Sequence, residues 1–132
     1  MASTEVATEP ILVVEDHADT REMVTALLTA EGYEVVTAEN GKRGLERLHS
    51  VRPCLILLDL SMPILDGWEF RRIQLSEGDF AEIPVLLLTA IHNPEKAMRE
   101  LKADGLIPKP VDFDQLMSSV KAMCGAPPHS HA

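Results

Sequence analysis

The sequence lacks the long apolar runs and the leader segments that direct proteins to membranes. Its apolar stretches are broken well before the roughly 20 residues that cross a bilayer. The opening MASTEVATEP has neither a basic start nor an apolar core of the signal-peptide kind. We therefore expect no membrane insertion and no export, and a cytoplasmic location.

Cysteine is also scarce, with Cys54 and Cys124 as the only two. They lie far apart in the sequence and have no ligand-like spacing. The pattern therefore predicts neither a disulfide framework nor a zinc site. We expect two separate thiols in a reducing compartment.

Basic and aromatic residues are too few for a nucleic-acid interface. Twelve Lys and Arg stand against 21 Asp and Glu, giving a formal net charge of -9, and aromatics make up 4%. Such a charge repels phosphate backbones, and no basic stripe with interleaved aromatics offsets it. Direct DNA binding is not expected.

The 132 residues, 45% of them hydrophobic, suffice for one globular domain and leave no room for a second. Periodic patterns fill residues 10–124. The flanking segments 1–9 and 125–132 are polar, aperiodic and contain proline, so we expect a flexible arm and a flexible tail.

Within residues 10–124, short apolar runs alternate five times with stretches of helical period. The runs are rich in Val, Ile and Leu, which is typical of parallel strands buried on both faces. The predicted strands are Ile11 to Val14, Glu34 to Ala38, Leu55 to Leu58, Pro84 to Leu88 and Leu106 to Pro108.

Helices are predicted in the intervals between these strands. In the first, Asp19 is the expected N-cap, and Met23, Leu27 and Ala30 are expected on the buried face. Asp66 and Gly67 are interpreted as a purely structural turn. The predicted helices are Asp19 to Ala30, Asn40 to Ser50, Gly67 to Ser76, Pro94 to Lys102 and Asp112 to Met123.

Five strands alternating with helices predict a doubly wound α/β fold, because parallel strands need right-handed crossovers that cover both faces of the sheet. We expect a flavodoxin-like (βα)5 three-layer sandwich with strand order 2-1-3-4-5. In such sheets, ligands bind beyond the carboxyl ends of the strands.

The residues at these predicted strand ends carry reactive groups. Glu15 and Asp16 follow the first strand, Asp59 the third, Thr89 the fourth and Lys109 the fifth. Three carboxylates side by side repel one another and need a cation or shared protons. A small cluster of hard oxygen ligands suits Mg²⁺ better than a soft metal.

This set of groups indicates phosphoryl chemistry. The Asp59 carboxylate could attack a phosphorus while a metal ion neutralises charge, giving an aspartyl phosphate. Lys109 would supply a positive charge to the new phosphate, and the Thr89 hydroxyl would donate a hydrogen bond to it.

From Ile11 to Lys121 the sequence resembles the response-regulator receiver family of two-component signalling, and in particular the stand-alone, chemotaxis-regulator-like receivers. The motifs that carry the resemblance are ILVVEDH, LILLDLSMPILDGWE, VLLLTA and IPKP. Singly each is weak, but together they are highly specific.

The resemblance implies that Asp59 is the phosphoacceptor. It implies that Asp16, Asp59 and the backbone carbonyl of Ser61 hold Mg²⁺, while Glu15 orients a water at the ion. It also implies a cis peptide bond between Lys109 and Pro110.

Two positions depart from the family pattern. Receivers usually carry an aromatic switch residue three positions before the lysine, where this chain has Leu106. Lys102 occupies a place where glycine often ends the fourth helix.

The resemblance implies a single-domain response regulator, not a conventional enzyme, that accepts a phosphoryl group from a sensor histidine kinase or a phosphotransfer protein. A downstream protein would then bind the face formed by the fourth helix, the fifth strand and the fifth helix. Two alternatives stay open. One is a degenerate receiver that docks proteins independently of phosphorylation. The other is a Mg²⁺-dependent phosphohydrolase, although Ser61 stands where such enzymes have a second acid.

Overall fold

A computed structural model describes residues 9–60, 66–91 and 93–127 of the chain. Strands and helices alternate throughout this part of the molecule. The strands are β1 (Ile11–Val14), β2 (Val35–Ala38), β3 (Leu55–Asp59), β4 (Val85–Thr89) and β5 (Gly105–Pro108). The helices are α1 (Ala18–Ala30), α2 (Gly41–Leu48), α3 (Gly67–Ser76), α4 (Pro94–Leu101) and α5 (Phe113–Cys124).

The five strands form one parallel sheet in the order β2-β1-β3-β4-β5. The neighbouring strands β1 and β3 are paired from Ile11 with Leu55 to Val14 with Leu58. The predicted flavodoxin-like topology is therefore confirmed. Because all strands run the same way, their carboxyl ends share one edge of the sheet, here called the carboxyl edge.

Both faces of the sheet are buried, which explains why β1 is an unbroken apolar run. Ile11 and Val13 face a core shared with α1 and α5, whereas Leu12 and Val14 face a core shared with α2, α3 and α4. Every residue of β1 is fully buried. The sheet is thus the middle layer of three, as predicted.

The first helix differs in detail from its prediction. Its N-cap is His17 rather than Asp19, because the His17 ring accepts the hydrogen bond of the Thr20 N–H. Val24 and Leu28 are the buried residues of α1, while Met23 is 41% exposed. Starting the helix at Ala18 leaves Asp19 within the first turn, so it is not the cap.

A buried arginine joins α3 to the end of α4. The Arg71 guanidinium donates to the carbonyl oxygens of Leu101 (2.9 Å) and Lys102 (2.7 Å), and to Gln74 Oε1 (2.8 Å). Burial lowers the pKa of Arg71, while the negative charge of Asp104 opposes that shift. Lys102, at the helix end, has a left-handed backbone with φ of 52°.

Cys54 and Cys124 form a disulfide, so the expectation of two separate thiols is wrong. Cys54 immediately precedes β3, and Cys124 is the last residue of α5, which packs across β3. Nearby, the Tyr33 hydroxyl donates to the carbonyl oxygen of Gly125 at 2.6 Å. The fold therefore brings together two cysteines that lie 70 residues apart in sequence.

Among the helices of the described residues, none combines the length and apolar character that a membrane crossing requires. The predicted flexible arm at 1–9 lies outside the described residues except for Glu9. The predicted tail at 125–132 lies outside them beyond position 127.

Candidate functional site

Two acidic residues, Glu15 and Asp16, follow β1 directly and lie at the carboxyl edge. The Glu15 N–H still donates to Ala38 of β2 at 3.0 Å, after which the chain leaves the sheet. The Glu15 side chain is fully buried, and its Oε2 accepts a hydrogen bond from the His17 N–H at 3.2 Å. Asp16 is half-buried beside it.

Asp59 is the last residue of β3, one position beyond the predicted strand end. It pairs with Leu88 of the neighbouring strand β4 and is 3% exposed. Carboxylate oxygens of Glu15, Asp16 and Asp59 all lie within 4.8 Å of one another. We call these three residues the acidic cluster.

Lys109, just after β5, points its ammonium into this cluster. Its Nζ lies 3.0 Å from Glu15 Oε1 and 3.4 Å from Asp59 Oδ1. Its N–H donates to the carbonyl oxygen of Thr89 at 2.9 Å, and the peptide bond between Lys109 and Pro110 is cis.

The charge of Lys109 is set by opposing effects. Burial alone lowers its pKa, but the hydrogen bonds and negative charges of Glu15 and Asp59 outweigh burial and raise the pKa above its ordinary value. The ammonium is therefore held protonated more firmly than that of a free lysine, and it offsets part of the repulsion within the acidic cluster.

Thr89 ends β4 and is 2% exposed. Its hydroxyl oxygen accepts a hydrogen bond from the Ile91 N–H at 3.0 Å. Thr89 thereby links the strand end to the segment that leads into α4. The half-buried Leu106 lies on β5 and packs against the same core as α4.

A cavity of about 430 Å³ opens at this edge. It brings together the acidic cluster and the ammonium with neighbours from two loops and from α1. Its lining consists of Glu15, Asp16, His17, Thr20, Asp59, Ala90, Ile91 and Lys109. Ser61, whose carbonyl is predicted as a metal ligand, lies outside the described residues.

The acidic cluster fits a hard divalent cation. Three carboxylates within 4.8 Å supply oxygen ligands of the kind that Mg²⁺ prefers. Asp16 is half-buried, so the cluster opens toward solvent and leaves positions for water, which Mg²⁺ usually retains.

Sequence reasoning missed two residues that shape this site. Arg21 of α1 donates to the carbonyl oxygens of Glu15 and Asp16. Gly67 packs so closely that an added Cβ would lie 2.5 Å from the Asp59 carbonyl oxygen. The sequence singles out Arg21 in one respect, since it is the only basic residue between positions 18 and 30. Apart from the turn pattern, nothing in the sequence indicates the close contact of Gly67 with Asp59.

Comparison with known proteins identifies the family. A model described as the response regulator receiver domain matches residues 11–121. Response regulator MprA of Mycolicibacterium vanbaalenii is 36% identical over 115 residues, which are 86% of this chain and 49% of that protein. This chain spans about half the length of the curated relatives it matches.

Solved structures agree with the sequence comparisons. Chemotaxis protein CheY4 of Vibrio cholerae has a TM-score of 0.81 and 30% identity, covering 89% of this chain and 99% of that one. Response regulator protein TrrA of Thermotoga maritima, solved in complex with Mg²⁺–BeF, has a TM-score of 0.76 and 34% identity, covering 88% of this chain and 99% of that one. The chain belongs to the response regulator receiver domain family of two-component signalling.

Proposed function

We propose that Asp59 accepts a phosphoryl group from the phosphohistidine of a sensor histidine kinase or a phosphotransfer protein. One observation carries the proposal. Asp59 is the last residue of the central strand β3 and is 3% exposed. Two other carboxylates and one ammonium lie at the same edge of the sheet. This arrangement surrounds a nucleophilic oxygen with the charges that phosphoryl transfer needs.

The proposal includes Mg²⁺ at the acidic cluster, held by Asp16, Asp59 and the Ser61 carbonyl, with Glu15 orienting a water at the ion. When bound, the ion supplies positive charge that offsets the repulsion between the carboxylates and the oxygens of an incoming phosphoryl group. The donor set of the cluster supports this assignment, and the related protein TrrA was solved with Mg²⁺–BeF.

In the transfer, a carboxylate oxygen of Asp59 forms a bond to phosphorus while the bond between phosphorus and the donor imidazole nitrogen breaks. The imidazole leaves with the electron pair of that bond and takes up a proton from solvent. The Lys109 ammonium lies 3.4 Å from Asp59 Oδ1 and would bind an oxygen of the transferred group. The Thr89 hydroxyl would donate to another of its oxygens.

This reaction makes the domain a switch that is modified once, rather than an enzyme that turns over a substrate. A new phosphate carries roughly -1.5 to -2 charges, which replace the single negative charge of the Asp59 carboxylate. Two hydrogen bonds connect the site with its surroundings. The Ile91 N–H donates to the Thr89 hydroxyl on the side of α4, and the Lys109 N–H donates to the Thr89 carbonyl oxygen at the end of β5. We propose that the face formed by α4, β5 and α5 binds the downstream protein.

We also propose that the domain acts in the cytoplasm. In a reducing cytoplasm, Cys54 and Cys124 would be thiols rather than a disulfide. The proposed chemistry does not depend on this, because Cys54 precedes β3 and so lies at the opposite edge of the sheet from Asp59.

Labelling with acetyl phosphate and Mg²⁺, read by intact-protein mass spectrometry, tests the function. We expect the wild type to gain one phosphoryl group and Asp59→Asn to gain none. Asp114→Asn, which removes an exposed carboxylate from α5, is the matched control and should label like the wild type. Stoichiometric labelling of Asp59→Asn would refute the assignment.

Two further assays, with phosphate esters and with histidine kinases as donors, separate the alternatives. Repeated release of inorganic phosphate from phosphate esters would indicate a phosphohydrolase. Absence of any labelling, from acetyl phosphate and from histidine kinases alike, would indicate a docking module that works without phosphorylation.

A further inference from the structure

Arg21 contacts the backbone of two members of the acidic cluster. It lies in the first turns of α1, and its Nη1 donates to the carbonyl oxygen of Glu15 at 3.0 Å and to that of Asp16 at 3.4 Å. One guanidinium thus binds the main chain of the two consecutive residues whose side chains supply two of the three clustered carboxylates.

The bond matters because the sheet no longer constrains the chain at this point. The β1 register ends at Val14 paired with Ala38, and the last ladder hydrogen bond comes from the Glu15 N–H. Asp16 therefore has no strand neighbour to fix its backbone. The orientation of a peptide group determines where the adjoining side chains point. A donor that fixes both carbonyl groups therefore also fixes the direction of both carboxylates.

Arg21 does this without occupying the carboxylates themselves. Within ranges 9–60, 66–91 and 93–127, no ion pair joins Arg21 to an acidic side chain, whereas Lys109 pairs with both Glu15 and Asp59. The guanidinium therefore leaves the oxygens of Glu15 and Asp16 to other ligands. It is half-buried beside them and anchored on a helix.

We propose that Arg21 is a positioning residue that orients the Glu15 and Asp16 carboxylates for Mg²⁺. This inference rests on the proposed function, in which the acidic cluster holds the ion. Residues that orient metal ligands typically contribute 10- to 100-fold to affinity.

The sign of the effect separates positioning from plain electrostatics. Removing a positive charge close to three carboxylates should, by Coulomb attraction alone, tighten the binding of a divalent cation. Removing a group that orients the carboxylates should weaken it. The two explanations therefore predict opposite changes in the dissociation constant for Mg²⁺.

Calorimetric titration of the metal-free protein with Mg²⁺ alone measures this constant without any phosphoryl donor. Arg21→Met keeps the aliphatic stem and removes the donors, and we expect it to raise the dissociation constant about tenfold. Arg21→Lys keeps the charge and one donor group, and should recover part of the loss. Arg52→Met is the matched control, because Arg52 likewise donates to a backbone carbonyl, that of Asp79 at 2.9 Å, but away from the acidic cluster.

Circular dichroism and thermal melting in EDTA check that each variant folds. If Arg21→Met does not fold, Arg21→Gln provides the same test with a shorter neutral side chain. Unchanged or tighter Mg²⁺ binding in the folded neutral variant would overturn the positioning role. Failure of the wild type to bind Mg²⁺ would instead overturn the metal site of the proposed function.

Discussion

Lys109 Nζ lies 3.0 Å from Glu15 Oε1, although 94 residues separate the two in the chain. The Glu15 carboxylate is fully buried, while the Lys109 side chain keeps 22% of its surface exposed. A buried carboxylate is costly unless it is paired, so the ammonium offsets part of the cost of burying the Glu15 side chain. The pair connects the end of β5 to the end of β1 across the strands between them.

Lys109→Met should destabilise the protein at neutral pH by about 3 kcal/mol, because it leaves the Glu15 carboxylate buried without its cation. The control is Lys96→Met, which removes an exposed ammonium 3.8 Å from Glu100. Exposed pairs contribute between about 0 and 1 kcal/mol. Urea denaturation measures both variants, and equal losses would contradict the special role of Lys109.

The same pair predicts a pH dependence. The pKa of Lys109 is raised in the folded state above the ordinary value of 10.5, so the native protein retains a proton that the unfolded chain loses. This contribution is fully present below that ordinary value and is lost as pH rises through the folded-state pKa.

Urea denaturation from about pH 9 to about pH 11.5 should therefore show a steeper fall in unfolding free energy for the wild type than for Lys109→Met. Tyr33, whose pKa is raised by burial and by Glu31, adds a fall in the same range to both proteins. The difference between the two curves isolates Lys109, and parallel curves would contradict the prediction.

Gly67→Ala should disturb Asp59, the proposed phosphoacceptor, directly. An added Cβ would lie 2.5 Å from the Asp59 carbonyl oxygen and 2.6 Å from the Leu60 Cα, so the backbone must move. We expect a loss of about 1 to 3 kcal/mol, as for other overpacked sites, together with slower labelling by acetyl phosphate. Gly78→Ala is the control, since its added Cβ would meet nothing within 4 Å. Wild-type stability and labelling in Gly67→Ala would show that the contact is not restrictive.

Much of the site could be predicted because parallel strands all end at one edge. Once the apolar runs were assigned as parallel strands, Glu15, Asp59, Thr89 and Lys109 had to lie near one another. The structure brings Lys109 into contact with both Glu15 and Asp59. Strand patterns alone thus predicted that these side chains meet at the carboxyl edge.

Contacts that depend on the exact rotation of a helix were not predictable. The hydrophobic pattern of α1 suggested that Met23 is buried, but the helix is rotated so that Val24 and Leu28 face the core. The disulfide between Cys54 and Cys124 depends on α5 crossing β3. Sequence spacing carries no information on such crossings.

The disulfide yields a fourth prediction. Crosslinking residues 70 apart should stabilise the fold by about 4 kcal/mol, because the closed loop loses conformational freedom in the unfolded chain. Reductant should therefore lower the urea midpoint of the wild type and leave that of Cys54→Ser/Cys124→Ser unchanged. Labelling of Asp59 should be the same in both proteins, since the crosslink lies at the opposite edge. An unchanged wild-type midpoint under reductant would contradict a stabilising disulfide.

The backbone at the end of α4 yields the last prediction. Lys102 has a φ of 52°, a left-handed conformation that costs a residue with a Cβ about 1 to 2 kcal/mol. Glycine adopts it without that cost but loses more freedom on folding, so Lys102→Gly should raise stability by about 1 kcal/mol, or about 4 °C in Tm. The Lys102 carbonyl that Arg71 binds is unchanged by the substitution. Asn93→Gly is the control, because Asn93 has a similar φ of 57° but asparagine tolerates it better, and its gain should be smaller. Thermal melting of both variants measures the difference, and a larger gain at position 93 would contradict the argument.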